Sequence, residues 1–197
     1  IINKSAGNQT KFQNAVSINS LKLNSGGTLN LAGFTLTNAA TAALSGSNLI
    51  TGTTGKIICS SGSIINCIVT GDFVLKADSN SNFPVQNSVF KGANNTITVG
   101  YFGSSNFQSN IFGQAGTGIT TLNCILTAAG SIDWYDGGNK YLNDLYMLIY
   151  STPGSAGSRY RNGYYGQDSV IGNATYKISG SPSNYLYMAS NTDNNYV

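Results

Sequence analysis

Groups able to move a proton are scarce in this chain. It has no His, and all seven of its acidic residues are Asp, so the usual proton shuttle and one of the two common carboxylates are missing. Catalysis would fall to Asp, Lys, Arg, Tyr or Cys. A glycosidase needs two carboxyl groups flanking the scissile bond, and the available pairs come from Asp133, Asp136, Asp144 and Asp168. A lyase with a cationic base would draw on Arg159 or Arg161. No motif accompanies either set, and the expectation is a non-catalytic protein with no catalytic residue to assign.

Binding chemistry is better supplied. All eight Phe lie at or before Phe112, whereas eleven of the twelve Tyr and the single Trp134 follow residue 130. Phe mainly fills cores, while Tyr and Trp join a flat apolar face to a polar edge, which suits interfaces and sugar rings. In the stretch 133–141, DWYDGGNKY, a sugar would stack on Trp134 and Tyr135 while Asp136 and Asn139 bond its hydroxyls. The same residue types also suit a polar turn whose aromatics cover the edge of the fold. A second cluster, Arg159, Tyr160, Arg161, Tyr164 and Tyr165, sets two cations among aromatics on a Gly and Ser background. It fits an anionic glycan, a protein partner or a solvated loop. Oxygens of Asp133, Asp136 and Asn139 would suit calcium, but their spacing is not that of an EF-hand loop and no Glu closes it. No metal site and no cofactor is assigned.

The remaining composition narrows the class. Charged residues make up 9% of the chain, against about 25% in soluble globular proteins, so amides and hydroxyls cover the surface. With 41% hydrophobic residues a 197-residue chain still supports one folded core. The net charge of +3 is scattered, with no run of Lys or Arg to follow a phosphate backbone, and nucleic acid is not an expected partner. No apolar run is long enough to span a membrane. Cys59, Cys67 and Cys124 are an odd number, each beside aliphatic residues, and read as buried thiols rather than a disulfide framework.

The elements that position these groups show themselves as a repeat. A small polar residue, a second one, an aliphatic and a large apolar residue recur at Ser47–Ile50, Asn66–Val69, Asn87–Phe90, Ser109–Phe112, Asn123–Leu126, Asn143–Tyr146, Asp168–Ile171 and Asn184–Tyr187. Successive copies start 19, 21, 22, 14, 20, 25 and 16 residues apart. Such a period marks a solenoid, each repeat being one coil stacked on the last. The first position, mostly Asn, suits a left-handed bend between strands, with an Asn ladder following from stacking. The third is always aliphatic and reads as the core column. The fourth, large and apolar, either forms an exposed stripe for a partner or turns inward at a bend. The interval of 14 marks a slip or a trimmed coil, and 150–167 reads as a loop inserted between coils. Before the series, Leu21–Leu23 and Thr28–Thr37 alternate as strands. The one helical segment expected is a short turn at Phe12–Val16.

The stretch Ser25–Thr37, SGGTLNLAGFTLT, resembles the coils of right-handed parallel β-helices in large secreted proteins of Bacteroidota, many of them surface adhesins. The Asn-led repeat is similar to β-helix coils more generally. The resemblance covers roughly 19–187 and is one of repeat grammar. It implies an all-β, right-handed parallel β-helix of about 20 residues per coil over 1–197, with a Tyr-rich part at 131–197. It also implies a structural and adhesive segment of a secreted cell-surface protein, contacting flanking domains, partner subunits or a glycan. The alternative is a polysaccharide lyase or hydrolase, or a phage tailspike segment. Polygalacturonase motifs are absent, and ice binding lacks regularly spaced Thr-x-Thr copies. The chain opens on Ile1-Ile2 and is patterned by Lys11, so a longer parent protein is expected.

Overall fold

A computed structural model describes residues 2–4, 7–77, 83–99, 107–113, 118–126, 133–151, 158–162, 168–180 and 186–189. The described residues form an all-β parallel solenoid of about 21 residues per turn with no helix. The strands stack into three faces. The first face runs through Ile2–Lys4, Leu21–Leu23, 41–45, 61–65, Val85–Gln86, Phe107–Gln108, Asp133–Gly137, Ser158–Asn162 and Leu186–Ala189. The second runs through Gln9–Lys11, Thr28–Asn30, 48–50, 68–70, Val89–Phe90, Ile111–Phe112, Lys140–Tyr141 and Ser169–Val170. The third runs through Val16–Ile18, 35–38, 55–59, 73–77, Asn94–Val99, Ile119–Leu126, Asp144–Ser151 and Ala174–Gly180.

Alternation along each strand sends every second side chain inward, and register stacks those side chains into columns. Leu29, Leu49, Val69, Phe90, Phe112 and Tyr141 form the column of the second face. Leu36, Ile57, Leu75, Ile97, Leu122 and Met147 form that of the third. All twelve are buried. The aromatic rings stack as the strands do, with centroids 4.7 Å apart for Phe90 and Phe112 and 5.2 Å for Phe112 and Tyr141. Tyr141 therefore extends a Phe core, contrary to the division of labour expected between Phe and Tyr.

Five further expectations are corrected. The core column of the second face is the fourth position of the repeat, not the third: Val69, Phe90 and Phe112 are buried, while Ile68 and Ile111 are 40% and 36% exposed. The copies at Ser47 and Asp168 are shifted by one, Gly46 being level with Asn66 and Asp168 with Asn139, so there the third residues, Leu49 and Val170, continue the core column while Ile171 is exposed. The copies at Asn123 and Asn143 lie on the third face, where Asn123 pairs with Thr98. The interval of 14 is thus a change of face, not a trimmed coil. Finally, 12–15 is an open corner with Phe12 in the core rather than a helical turn, and Ser158–Asn162 is a strand of the first face rather than part of a loop.

Two corners hold the faces together. Between the first and second faces, Gly26, Gly46, Asn66, Asn87, Ser109 and Gly138 adopt φ between 50° and 75°, the left-handed geometry that Gly and Asn tolerate best. Between the second and third, Gly52 and Gly71 pair across one turn. A Cβ on Gly52 would lie 2.5 Å from the Gly33 nitrogen, and one on Gly71 2.5 Å from the Gly52 oxygen. Gly92 stands in the same relation to the Gly71 carbonyl. Coils approach there backbone to backbone, and any side chain would force them apart.

Candidate functional site

The two aromatic clusters of the sequence are brought together. Asp133–Gly137 and Ser158–Asn162 are neighbouring parallel strands, with Asp133 level with Arg159, Trp134 with Tyr160, Tyr135 with Arg161 and Asp136 with Asn162. The next strand continues the columns, with Tyr187 beyond Arg159 and Met188 beyond Tyr160. Side-chain positions of 133–136 and 158–162 lie outside the described residues, as do Tyr164 and Tyr165 altogether.

Asn139 is placed elsewhere. It is fully buried at the first corner, inside a polar ladder formed by Ser47, Cys67, Ser88, Asn110, Asn139 and Asp168. The Cys67 N–H donates to Ser88 Oγ at 3.0 Å, and the Ser88 N–H to Asn110 Oδ1 at 3.1 Å. The Asn110 N–H donates to Asn139 Oδ1 at 3.1 Å, and the Asn139 N–H to Asp168 Oδ1 at 3.0 Å. The amide nitrogens also bind backbone, Asn110 Nδ2 at Val85 O (2.8 Å) and Asn139 Nδ2 at Phe107 O (2.9 Å). Ser88, Asn110, Asn139 and Asp168 each satisfy the corner amide of the coil beside them, which is what burial of a backbone N–H requires. Asn139 is therefore committed to the scaffold and is not a sugar ligand. The ladder takes the second residue of the copies at Asn66, Asn87 and Ser109 and the first of the shifted copies at Ser47 and Asp168. Cys67 belongs to it as a thiol donating to Ile65 O at 3.2 Å, and Cys59 and Cys67 are both buried thiols outside any disulfide. The Cys124 side chain lies outside the described residues.

The four candidate carboxylates are not gathered in one place. Asp133 and Asp136 share a strand of the first face, Asp168 closes the ladder at the first corner, and Asp144 starts a strand of the third face. Among the described residues no group of three or more His, Cys, Asp or Glu is placed to hold a metal ion.

Sequence reading missed an open hollow of about 420 Å³ at the second corner, lined by Ile119, Asp144, Leu145, Tyr146, Asn173, Ala174 and Thr175. Its residues come from three successive coils, with Ile119 level with Asp144 and Tyr146 level with Thr175. No local motif announces it, since only the register joins segments a full turn apart. The Asn173 N–H donates to Asp144 Oδ1 at 2.7 Å, fixing the carboxylate at the rim.

Comparison of the chain with family models, curated proteins and solved structures finds no match. Fold and site together define a parallel β-solenoid carrying an aromatic and cationic strand pair on one face and a polar hollow at another corner.

Proposed function

We propose that this chain is a non-catalytic structural and adhesive segment of a secreted cell-surface protein, its solenoid serving as a rod and its Tyr-rich part contacting glycans. The observation that carries the reading is the in-register pairing of Asp133–Gly137 with Ser158–Asn162. It sets the backbone positions of Trp134, Tyr135, Tyr160, Arg159 and Arg161 side by side, and aromatic and guanidinium groups are suited to sugar rings and anionic substituents. The resemblance of Ser25–Thr37 to secreted β-helix adhesins supports the surface location. A glycan array probed with the full chain tests the contact, with binding expected and with loss of most signal in Trp134→Ala and in the double variant Arg159→Ala/Arg161→Ala. An unchanged array pattern in both variants would remove the strand pair from the reading. Release of new reducing or unsaturated ends from acidic polysaccharides by the wild-type chain would replace adhesion with cleavage.

A further inference from the structure

The second corner contains the same pair of residue types twice, finished in one place and open in the other. Asp72 and Asn94 close on each other: the Asn94 N–H donates to Asp72 Oδ1 at 2.9 Å, and Asn94 Nδ2 donates to Asp72 Oδ2 at 3.0 Å. Asp144 and Asn173 occupy this column further along the solenoid, reached through Ile119. Here the backbone bond is made at 2.7 Å, but the side-chain bond is not. Among the described residues neither Asp144 Oδ2 nor the Asn173 side-chain amide has a hydrogen-bond partner. An acceptor and a donor thus stand side by side at the rim of a hollow. Tyr146 and Thr175, level with each other on the third face, line it, and Ile119, 43% exposed, adds an apolar wall. Gly172 makes room for this arrangement, since a Cβ there would run into Asp144 Oδ1.

We infer that this hollow binds a single neutral sugar residue. Asp144 Oδ2 accepts a hydrogen bond from one hydroxyl, Asn173 Nδ2 donates to the oxygen of the adjacent hydroxyl, and the apolar face of the ring lies against Tyr146. A volume of about 420 Å³ falls within the range of small-molecule sites, about 300–1,000 Å³, in which a few placed polar groups fix orientation against apolar walls. Among the described residues no cation lines the hollow, so a uronate or sialate would bring its carboxylate against that of Asp144. The inference deepens the glycan reading of the segment and rests on it for the ligand class only. The hollow lies at a different edge of the rod from the strand pair Asp133–Gly137 and Ser158–Asn162.

The test is titration of the full chain, followed by amide chemical shifts, with methyl α-mannopyranoside, methyl β-glucopyranoside, methyl β-galactopyranoside and methyl β-glucuronide. At least one neutral glycoside binds with a Kd of about a millimolar, and the glucuronide does not bind up to about 50 mM. Asn173→Ala keeps the backbone bond to Asp144, and so the corner, yet weakens binding about tenfold by removing the donor. Tyr146→Ala has an effect of similar size, and shifts in the wild type map to 144–146 and 173–175. Absence of binding by all three neutral glycosides, equal binding of the glucuronide, or an unchanged Kd in Asn173→Ala overturns the inference. Binding that survives Asn173→Ala but vanishes in Trp134→Ala sinks the hollow and leaves the strand-pair reading standing. Binding lost in Asn173→Ala while the array signal is untouched by changes at Trp134, Arg159 and Arg161 does the reverse.

Discussion

Asn110 shows what a single side chain does in this interior. It is fully buried, accepts the Ser88 N–H, and donates to both Val85 O and Asn139 Oδ1. Removing it orphans a backbone donor and a backbone acceptor in a place water does not reach, and each such group costs about 1–3 kcal/mol. Asn110→Ala is expected to lose about 2–4 kcal/mol of unfolding free energy, read as a lower urea midpoint at unchanged slope. A loss below about 0.5 kcal/mol would show that the ladder is ornamental to stability. The neighbouring rungs explain why composition hid this role. Ser47, Cys67, Ser88, Asn110, Asn139 and Asp168 differ in size, charge and hydropathy, and share only the ability to hydrogen-bond at a corner. Asn139 looked like a surface ligand because an amide in a Gly-rich stretch has that appearance, and its burial follows only from knowing what stacks on it.

At the scale of the strand, alternation decides which aliphatics matter. Ile111 and Phe112 are adjacent in sequence, but Ile111 is 36% exposed whereas Phe112 is 1% exposed, stacked on Phe90, Phe107 and Tyr141. Phe112→Ala is expected to cost about 3–5 kcal/mol through the cavity it leaves. Ile111→Thr, on the solvent side of a strand that favours β-branched residues, is expected to stay within about 0.5 kcal/mol. Paired thermal melts check both, and equal losses would mean that both columns turn inward. The period near 20, the absence of any helix of ordinary length among the described residues and the left-handed bends at Asn66 and Asn87 were legible, because spacing and backbone chemistry carry them. The choice of face was not. Apolar residues fill the third and fourth positions alike, and the copies at Asn123 and Asn143 fall on the third face instead of the second, so type alone does not fix register. The hollow was illegible for the same reason: Ile119, Asp144 and Asn173 meet only after the coils are set in register.

For the whole molecule, each coil touches only the coils on either side, so stability propagates along the stack rather than arising from one centre. The interior coils, with strands Thr35–Ser45, Asn48–Ile65 and Ile68–Ala77 paired on both sides, carry the longest run of shared bonds. Hydrogen exchange of the 197-residue chain is expected to be slowest at Ile57 and Leu75 and fastest at Gln9–Lys11, which pairs on one side among the described residues. Exchange at Thr10 as slow as at Ile57 would contradict nearest-neighbour stabilisation. The glycine corner adds a constraint of another kind. Because the space left by Gly71 is filled by the backbone of Gly52, and that left by Gly52 by the backbone of Gly33, each glycine is defined by the one beneath it. The smallest piece of this gene that can be copied or deleted without a collision is therefore one whole turn. Unequal crossing-over in register yields a longer or shorter rod with intact corners, and crossing-over out of register drives a side chain into a carbonyl. Length would then change in steps of a full turn, and related rods would differ by whole repeats.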